Sequence, residues 1–465
     1  MTRQTPAAVP AGRPATHARI RHPRRPGPAP RPGIVDACAA LAGIGFGAVV
    51  GTGVIAESHS TLTASGGLFT AAGRLAGLTG AYLLLIMVLL IARLPWLELA
   101  VGQDQLVRWH RRVAPWAFGL ICAHVTFITL GYADAARVGV LRQIWVFITS
   151  YPDLLMAIAG FGLLIMAGVT SYRLVRTRLR YETWWVVHLY TYLGLALAFA
   201  HQIVTGESFV GHPLTRALWI VIWAATAGMV LVFRVLQPIW RSLRHQLRVV
   251  EIREEASGVF SLICRGRKLD RLAVAGGQFF HWRFLTRELW WQAHPYSLSA
   301  LPQPPYVRVT IKGLGDQGQA IRRLRPGTRI AIEGPYGAFT HHARVSDRVL
   351  LIGAGVGVTP LRALLEDLPP SSDVVVIIRA STPDDLVHHY EIEALVNRCH
   401  GRLHEIIGPR QQVRVDSRLL RHLVPDIAAR DIYICGPDGF MSAVAEAALR
   451  LAVAPEQIHQ ESFGF

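Results

Sequence analysis

Four histidines sit inside apolar stretches of this chain. His110 and His124 lie in WHRRVAPWAFGLICAHVT, residues 109–126, and His188 and His201 lie in YETWWVVHLYTYLGLALAFAHQIV, residues 181–204. The spacings are fourteen and thirteen residues. On a helix each is ~20 Å of rise. The hydrocarbon core of a membrane is ~30 Å thick, so each helix would hold one imidazole near one face and one near the other. Ionisable groups inside a span are costly and usually functional, and imidazoles are axial ligands of haem iron. Two parallel helices built this way would clamp two stacked haems, one on His110 and His188, the other on His124 and His201. Interhelical hydrogen bonding is the plainer role for a lone histidine; the two matched pairs favour haem. One detail fits poorly. Fourteen residues return to within ~40° of one helix face, whereas thirteen fall ~140° short. Either the second helix is irregular or its two ligands approach from different sides.

The elements that would position these groups are six apolar spans, at about 34–56, 77–94, 113–132, 153–172, 183–204 and 214–236. Each is near the ~20 residues a spanning helix needs. Pro95, Pro115, Pro152 and Pro213 read as span ends. Arginines choose the orientation. They crowd the N-terminal tail, the second-to-third connection (Arg93, Arg108, Arg111, Arg112), the fourth-to-fifth (Arg173, Arg176, Arg178, Arg180) and the segment after the sixth (Arg234, Arg241, Arg244, Arg248). The alternate loops hold only Arg74, then Arg137 and Arg142, then Arg216. Both termini are therefore expected on the cytoplasmic side of the cell membrane. That orientation makes spans three and five parallel, with His110 and His188 inner and His124 and His201 outer.

The first 33 residues carry seven Arg, eight Pro and no acidic residue. Such a segment cannot bury a core and is expected to be a disordered tail. It lacks the apolar run and small-residue cleavage site of a secretory signal. The net charge of +17 is largely this tail plus the loop bias, not a nucleic-acid surface. Cys38, Cys122, Cys264, Cys399 and Cys435 are scattered without a CxxC pair, which argues against an iron–sulfur, zinc or disulfide framework.

Beyond about residue 243 short alternating stretches, LRVVEIREEASGVFSLICRG, GQFFHWRFL and PYVRVTIKGL, read as strands of a small antiparallel barrel reaching about 340. HPYSLSALP at 294–302 interrupts it. This stretch sets a histidine, an aromatic and two hydroxyls (His294, Tyr296, Ser297, Ser299) beside Pro295, groups suited to a flavin's ring face and polar edge. Lys312, closing the next strand, joins the candidate cofactor set. RVLLIGAGVGVTPLRALLEDL at 348–368 reads as a buried strand, a glycine turn and a helix. Gly353, Gly355 and Gly357 would let backbone amides approach a pyrophosphate at the helix N-terminus. Arg379 ends the next strand, VVVIIRAS, where a 2′-phosphate is held in NADP enzymes. DIYICGPDGFMSAVAEAAL at 431–449 is a third strand–turn–helix unit with Cys435 at the strand's end, and ESFGF closes the chain at Phe465.

From about residue 34 to 465 the chain resembles the ferric reductase and NADPH oxidase group of transmembrane flavocytochromes b. The four histidines are similar in order and spacing to that family's haem ligands. HPYSLS resembles its flavin motif, which implies that His294 faces the FAD phosphates, Tyr296 the flavin and Ser297 its N5 region. GQFF at 277–280 and EGPYG at 333–337 resemble the flanking strands of ferredoxin–NADP reductases. GAGVGVTP, with Thr359 and Pro360, and CGP at 435–437, with Gly436 and Pro437, resemble their nucleotide signatures. The resemblance implies Cys435 near the nicotinamide and Phe465 over the flavin, and so catalytic places for Cys435, Ser297 and Phe465. It departs at GDQGQA, 315–320, where relatives often carry a phosphate-binding Ser or Thr and this chain has Gly318 and Gln319. No calcium-binding extension is seen. The implied layout is a tail at 1–33, a six-span domain with two haems b at 34–240, an FAD barrel at 243–342 and an NADP-binding α/β domain at 346–465. The expected activity carries electrons from NADPH through FAD and both haems to an outer acceptor, dioxygen or a ferric chelate. One rival is a module supplying electrons to a protein partner or quinone. Another is a flavin reductase on a haem-free anchor.

Overall fold

The computed structural model describes residues 33–313, 315–409 and 414–461. The tail before residue 33 and Phe465 lie outside the described residues. Among those described, six helices are long and apolar enough to cross a membrane. They are α1 (Ile34–Ile55), α2 (Gly67–Leu90), α3 (Gln103–Ala135), α4 (Pro152–Ser171), α5 (Tyr181–Thr205) and α6 (Pro213–Val230). Pro152 and Pro213 open their helices at the first turn, where the missing N–H costs nothing. Pro115 does not end a span, contrary to expectation. It lies inside α3, where proline is tolerated because neighbouring groups take up the freed carbonyl. α2 also starts ten residues before the expected 77, because its first turns carry glycine, threonine and Arg74 rather than an apolar run.

α2 packs along α3 and α4 along α5. Gly160 and Gly194 let the second pair close up, since a Cβ on either would press on the other's carbonyl. α3 and α5 face one another across the space between the two helix pairs. α6 runs through a π-helical segment, Leu231–Leu236, into the short amphipathic helix Gln237–His245, which delivers the chain to the first strand.

Six antiparallel strands follow: β1 (Leu247–Ala256), β2 (Val259–Arg265), β3 (Phe279–Phe284), β4 (His294–Ser297), β5 (Tyr306–Lys312) and β6 (Arg329–Tyr336), in the order β4-β3-β6-β1-β2-β5. HPYS does not interrupt the barrel; it forms β4, on the edge, where Pro295 removes no central ladder bond. Alternate residues of β3, Phe280, Trp282 and Phe284, fill the barrel core, while Phe279, His281 and Arg283 take the other face. GDQGQA opens a short helix, α7 (Gly315–Arg322).

The last unit is a parallel sheet of β7 (Arg348–Ala354), β8 (Asp373–Ala380), β9 (Arg402–Ile407), β10 (Asp431–Cys435) and β11 (Ile458–Glu461), in the order β11-β10-β7-β8-β9. It carries helices α8 (Val358–Asp367), α9 (His389–Arg398), α10 (Ser417–Leu423) and α11 (Asp438–Arg450). β7 splits its side chains between two cores, Val349 and Leu351 into one, Leu350 and Ile352 into the other. That is the mark of a strand covered on both faces.

Candidate functional site

The four histidines meet two by two. The ring centres of His110 and His188 are 6.3 Å apart, and those of His124 and His201 are 6.4 Å apart. A metal–imidazole bond is ~2 Å and the nitrogen sits ~1 Å from the ring centre, so two imidazoles on one iron stand ~6 Å apart. α5 is an unbroken α-helix from Tyr181 to Thr205. Its two histidines therefore leave from different flanks and both still reach α3, which settles the thirteen-residue spacing. Among the described residues no three or more His, Cys, Asp or Glu converge as a metal group. The histidines come in pairs, the number of axial positions on a haem.

Hydrogen bonds orient the rings. His124 Nδ1 donates to the Gly73 carbonyl at 2.8 Å and His110 Nδ1 to the Met87 carbonyl at 3.1 Å. Each bond fixes the tautomer that leaves Nε2 bare for a metal. His188 Nδ1 lies 3.3 Å from Ser171 Oγ, and its ring stacks on Trp184 at 5.1 Å. His201 Nδ1 is buried without a hydrogen-bond partner. A cavity of about 280 Å³ opens at the His124–His201 pair, with Gly77, Phe147, Tyr151 and Gln202 in its wall.

In the barrel, His294 and Tyr296 stack nearly parallel, 5.9 Å apart, and Ser297 is buried opposite Phe279. Burial, with Arg283 nearby, pushes His294 down to about 4, so the ring is neutral at pH 7. Its Nε2 is buried without a partner. Two flat rings and an orphaned nitrogen fit a flavin dinucleotide. Ser299 does not join them. It is fully buried and its hydroxyl accepts from Arg308 Nε at 3.1 Å, because Arg308 is drawn there by Glu391 of α9. Lys312 ends β5 at the surface.

The order of the parallel sheet reverses between β7 and β10, and ligands bind at the carboxyl edge of such a switch point. Gly353, the last residue but one of β7, and Cys435, which ends β10, pair in register. Gly355 has φ +55°, and a Cβ on Gly357 would overlap the Cys435 carbonyl. These glycines let the turn pass close to β10 and aim the start of α8 into the cleft. Thr359 is turned away: its hydroxyl donates to the Val356 carbonyl at 2.9 Å and shapes the turn. Pro360 is buried in the first turn of α8, and Gly436 and Pro437 lead into α11. Cys435 Sγ donates to the Glu461 carbonyl at 3.3 Å, and burial holds the thiol protonated. Arg379, the last residue but one of β8, is largely buried, donating to the Gly408 carbonyl at 2.7 Å and to Ser381 Oγ at 3.2 Å. Two of its five N–H groups are thus used.

Two sets of residues went unseen in the sequence. Glu461 pairs with Cys435 across β10 and β11 and comes close to β3; a Cβ on Gly337 would stand 3.3 Å from Phe279 and 3.7 Å from the Glu461 carboxylate. Burial, then Asp104, pushes that carboxyl up to about 8. Arg93, Glu98, Arg234, His281 and Glu333 form a second cluster where barrel meets bundle. Neither set has a local pattern, since the partners are up to 357 residues apart, Asp104 from Glu461.

Three family models match the chain in sequence: the ferric reductase like transmembrane component at 76–199, an FAD-binding domain at 245–340 and the oxidoreductase NAD-binding domain at 351–446. The glycine betaine monooxygenase reductase subunit of Pseudomonas aeruginosa is 27% identical over 245 residues, 48% of this chain and 66% of that protein. The ferredoxin reductase component of 3-ketosteroid-9-alpha-monooxygenase from Mycolicibacterium smegmatis is 32% identical over 233 residues, 47% of this chain and 65% of that one. The chain thus spans slightly under two thirds of these relatives' length. Among solved structures, the flavohem-like FAD/NAD binding domain of nitric oxide dioxygenase from Vibrio cholerae O1 biovar El Tor matches 47% of this chain and 99% of its own, at 24% identity and a TM-score of 0.41. The transmembrane match is what separates this chain from reductases that have only the two cofactor domains. With it standing ahead of them, the chain is an oxidoreductase with the domain architecture of the ferric reductase and NADPH oxidase family.

Proposed function

We propose that the chain moves electrons from cytoplasmic NADPH through FAD and two stacked haems b to an acceptor on the outer face of the cell membrane, dioxygen or a ferric chelate. The observation that carries this reading is the pair of matched histidine spacings, 6.3 and 6.4 Å, each the span of two imidazoles on one iron. When bound, the flavin takes the two electrons of a hydride and the haem irons pass them on singly. The chain's residues supply the rest. His110 and His188 would hold the inner haem, and His124 and His201 the outer, with Gly73 and Met87 carbonyls fixing the rings. His294, Pro295, Tyr296, Ser297 and exposed Lys312 would seat FAD. Gly353, Gly355, Gly357, Gly436 and Pro437 would admit the dinucleotide, with Pro360 in the first turn of the helix aimed at its phosphates. Cys435 would flank the nicotinamide. Phe465 would cover the flavin. The reading divides the chain at 34–240, 243–342 and 346–465 and places both termini inside.

Purified protein is expected to carry two b-type haems per chain, none covalent. Pyridine haemochrome titration finding one or none would end the two-haem reading. Purified protein given NADPH should reduce oxygen to superoxide or ferric citrate to Fe(II) unaided. A second reading has support in relatives named as reductase components of oxygenases. There the chain would supply a protein partner or quinone, and the same assay without a partner would show neither product.

NADPH is expected to be preferred over NADH, with Arg379 and the exposed Ser381 beside it meeting the extra phosphate. A hydrogen bond to a charged group contributes ~1.5–3 kcal/mol. Arg379 already serves Gly408, so the lower end applies, and Arg379→Ala should cut the preference in kcat/KM by about tenfold, mainly through KM. Equal use of both coenzymes by the unaltered protein refutes this.

A further inference from the structure

On the reading above, electrons cross from the barrel to the membrane bundle, and that join holds a buried cluster of charge. Arg93 lies just past α2. It is 8% exposed, and its φ of 64° is a backbone state that few residues other than glycine adopt. Its Nη2 donates to His281 Nε2 at 2.8 Å and its Nη1 to Glu98 at 3.2 Å, with Glu333 4.0 Å from Nε. The guanidinium carbon stands 4.5 Å from the centre of the Tyr336 ring, and the Tyr336 hydroxyl donates to Glu333 at 2.9 Å. Arg234, within the π-helical segment, reaches Glu333 at 3.5 Å. Two departures from regular backbone therefore serve one cluster, and such departures gather at functional positions.

The cluster's place matters. Met87, whose carbonyl orients His110, lies six residues before Arg93 on the same run of chain. His281 pairs with Pro295 across β3 and β4, inside HPYS. One guanidinium thus ties the support of the inner histidine pair to the neighbour of the candidate flavin strand. A join needed only for cohesion would be at least as stable with well-packed apolar side chains, since burying charge costs several kcal/mol before pairing recovers it. Directional, forked hydrogen bonds fix distance and angle, which apolar packing does less sharply.

We propose that Arg93 is a positioning residue for electron transfer: held by Glu98 and Glu333, it locks β3 and β6 against the end of α2 and so sets the spacing from flavin to inner haem. This rests on the reading of the two cofactor sites given above.

The test uses the full holoprotein in detergent, mixed anaerobically with NADPH in a stopped-flow instrument. Arg93→Gly relaxes the backbone and deletes the guanidinium. Flavin reduction should stay near the wild-type rate and two haems should remain bound. Haem reduction should slow by roughly tenfold or more, the scale of a small misplacement of reacting centres. Hydrogen exchange, read separately by mass spectrometry, should speed up in β3 and β6. Arg93→Lys keeps the charge without the fork and should fall between. Wild-type haem reduction in Arg93→Gly, or unchanged exchange in β3 and β6, overturns the proposal. Should Arg93→Gly not fold, Glu333→Gln carries the test. It removes the two ion pairs and keeps an acceptor for Tyr336; a slower haem step supports the proposal, and a wild-type step overturns it. A wild-type chain that binds no haem would instead overturn the functional reading, and this proposal with it.

Discussion

His201→Leu is expected to leave one haem in the chain and almost no electron delivery to the outside. His201 faces His124 with ring centres 6.4 Å apart, and among the described residues no other histidine joins that pair. Leucine is a good helix former and is at home in lipid, so α5 should survive with the outer iron short of a ligand. NADPH should still reduce the flavin and the inner haem, seen as about half the wild-type haem absorbance change if each iron takes one electron. The remaining ~20 Å of rise would hold no redox centre, so the acceptor should receive nearly nothing. His188→Leu should do the opposite, leaving flavin reduction intact and blocking both haems. Haem absorbance in both variants, with acceptor reduction outside sealed right-side-out vesicles, reads the two apart. Near-normal external activity in His201→Leu, or an outer haem still reducible in His188→Leu, would show that the electrons do not take this path.

The histidine pairs were legible because a ring that can ionise is conspicuous in an apolar run and its spacing converts directly to depth. The glycine turn was legible because 353, 355 and 357 come directly after the unbroken apolar run at 349–352. Span ends were harder to read. The first turns of α2 pack Thr70 and Gly73 against α3 and pair Arg74 with Glu57 and Glu207. Tertiary partners thus make helix out of residues that hydropathy reads as loop. Pro115 misled for the converse reason: proline's local preference is to stop a helix, and the surrounding bundle overrode it. Motif reading shows residue type and not partner. Ser299 and Thr359 fit the pattern by type, yet Arg308 claims one and the Val356 carbonyl the other, and no one-dimensional signal shows which hydroxyl is already taken. The Arg93 cluster joins positions 93, 234, 281 and 333, and only the fold brings them together.

Gly77→Ala should also cost the outer haem, though position 77 bears no ligand. In a helix interior, alanine for glycine is ordinarily a gain of ~0.5–1 kcal/mol, so a loss here has to come from sterics. A Cβ at 77 would stand 2.5 Å from His124 Nδ1 and 2.9 Å from Cγ and Cε1 of the same ring. The ring has little freedom to yield, because Nδ1 is held by the Gly73 carbonyl one turn earlier on α2. It must either break that bond or swing its Nε2 off the line to His201. Support of this kind around a metal-binding histidine is commonly worth ten- to a hundredfold in affinity, so occupancy of the outer site should fall by about that factor when haem is limiting. Gly119 is the internal control. It lies on α3 between His110 and His124, and a Cβ there meets nothing within 4 Å. Gly119→Ala should keep both haems. The measurement is haem per chain by pyridine haemochrome after expression with limited haem supply, beside the low-temperature absorbance of the reduced protein. One haem in Gly77→Ala and two in Gly119→Ala is the expected outcome. Two haems in both would mean that His124 does not bind from the position its hydrogen bond gives it.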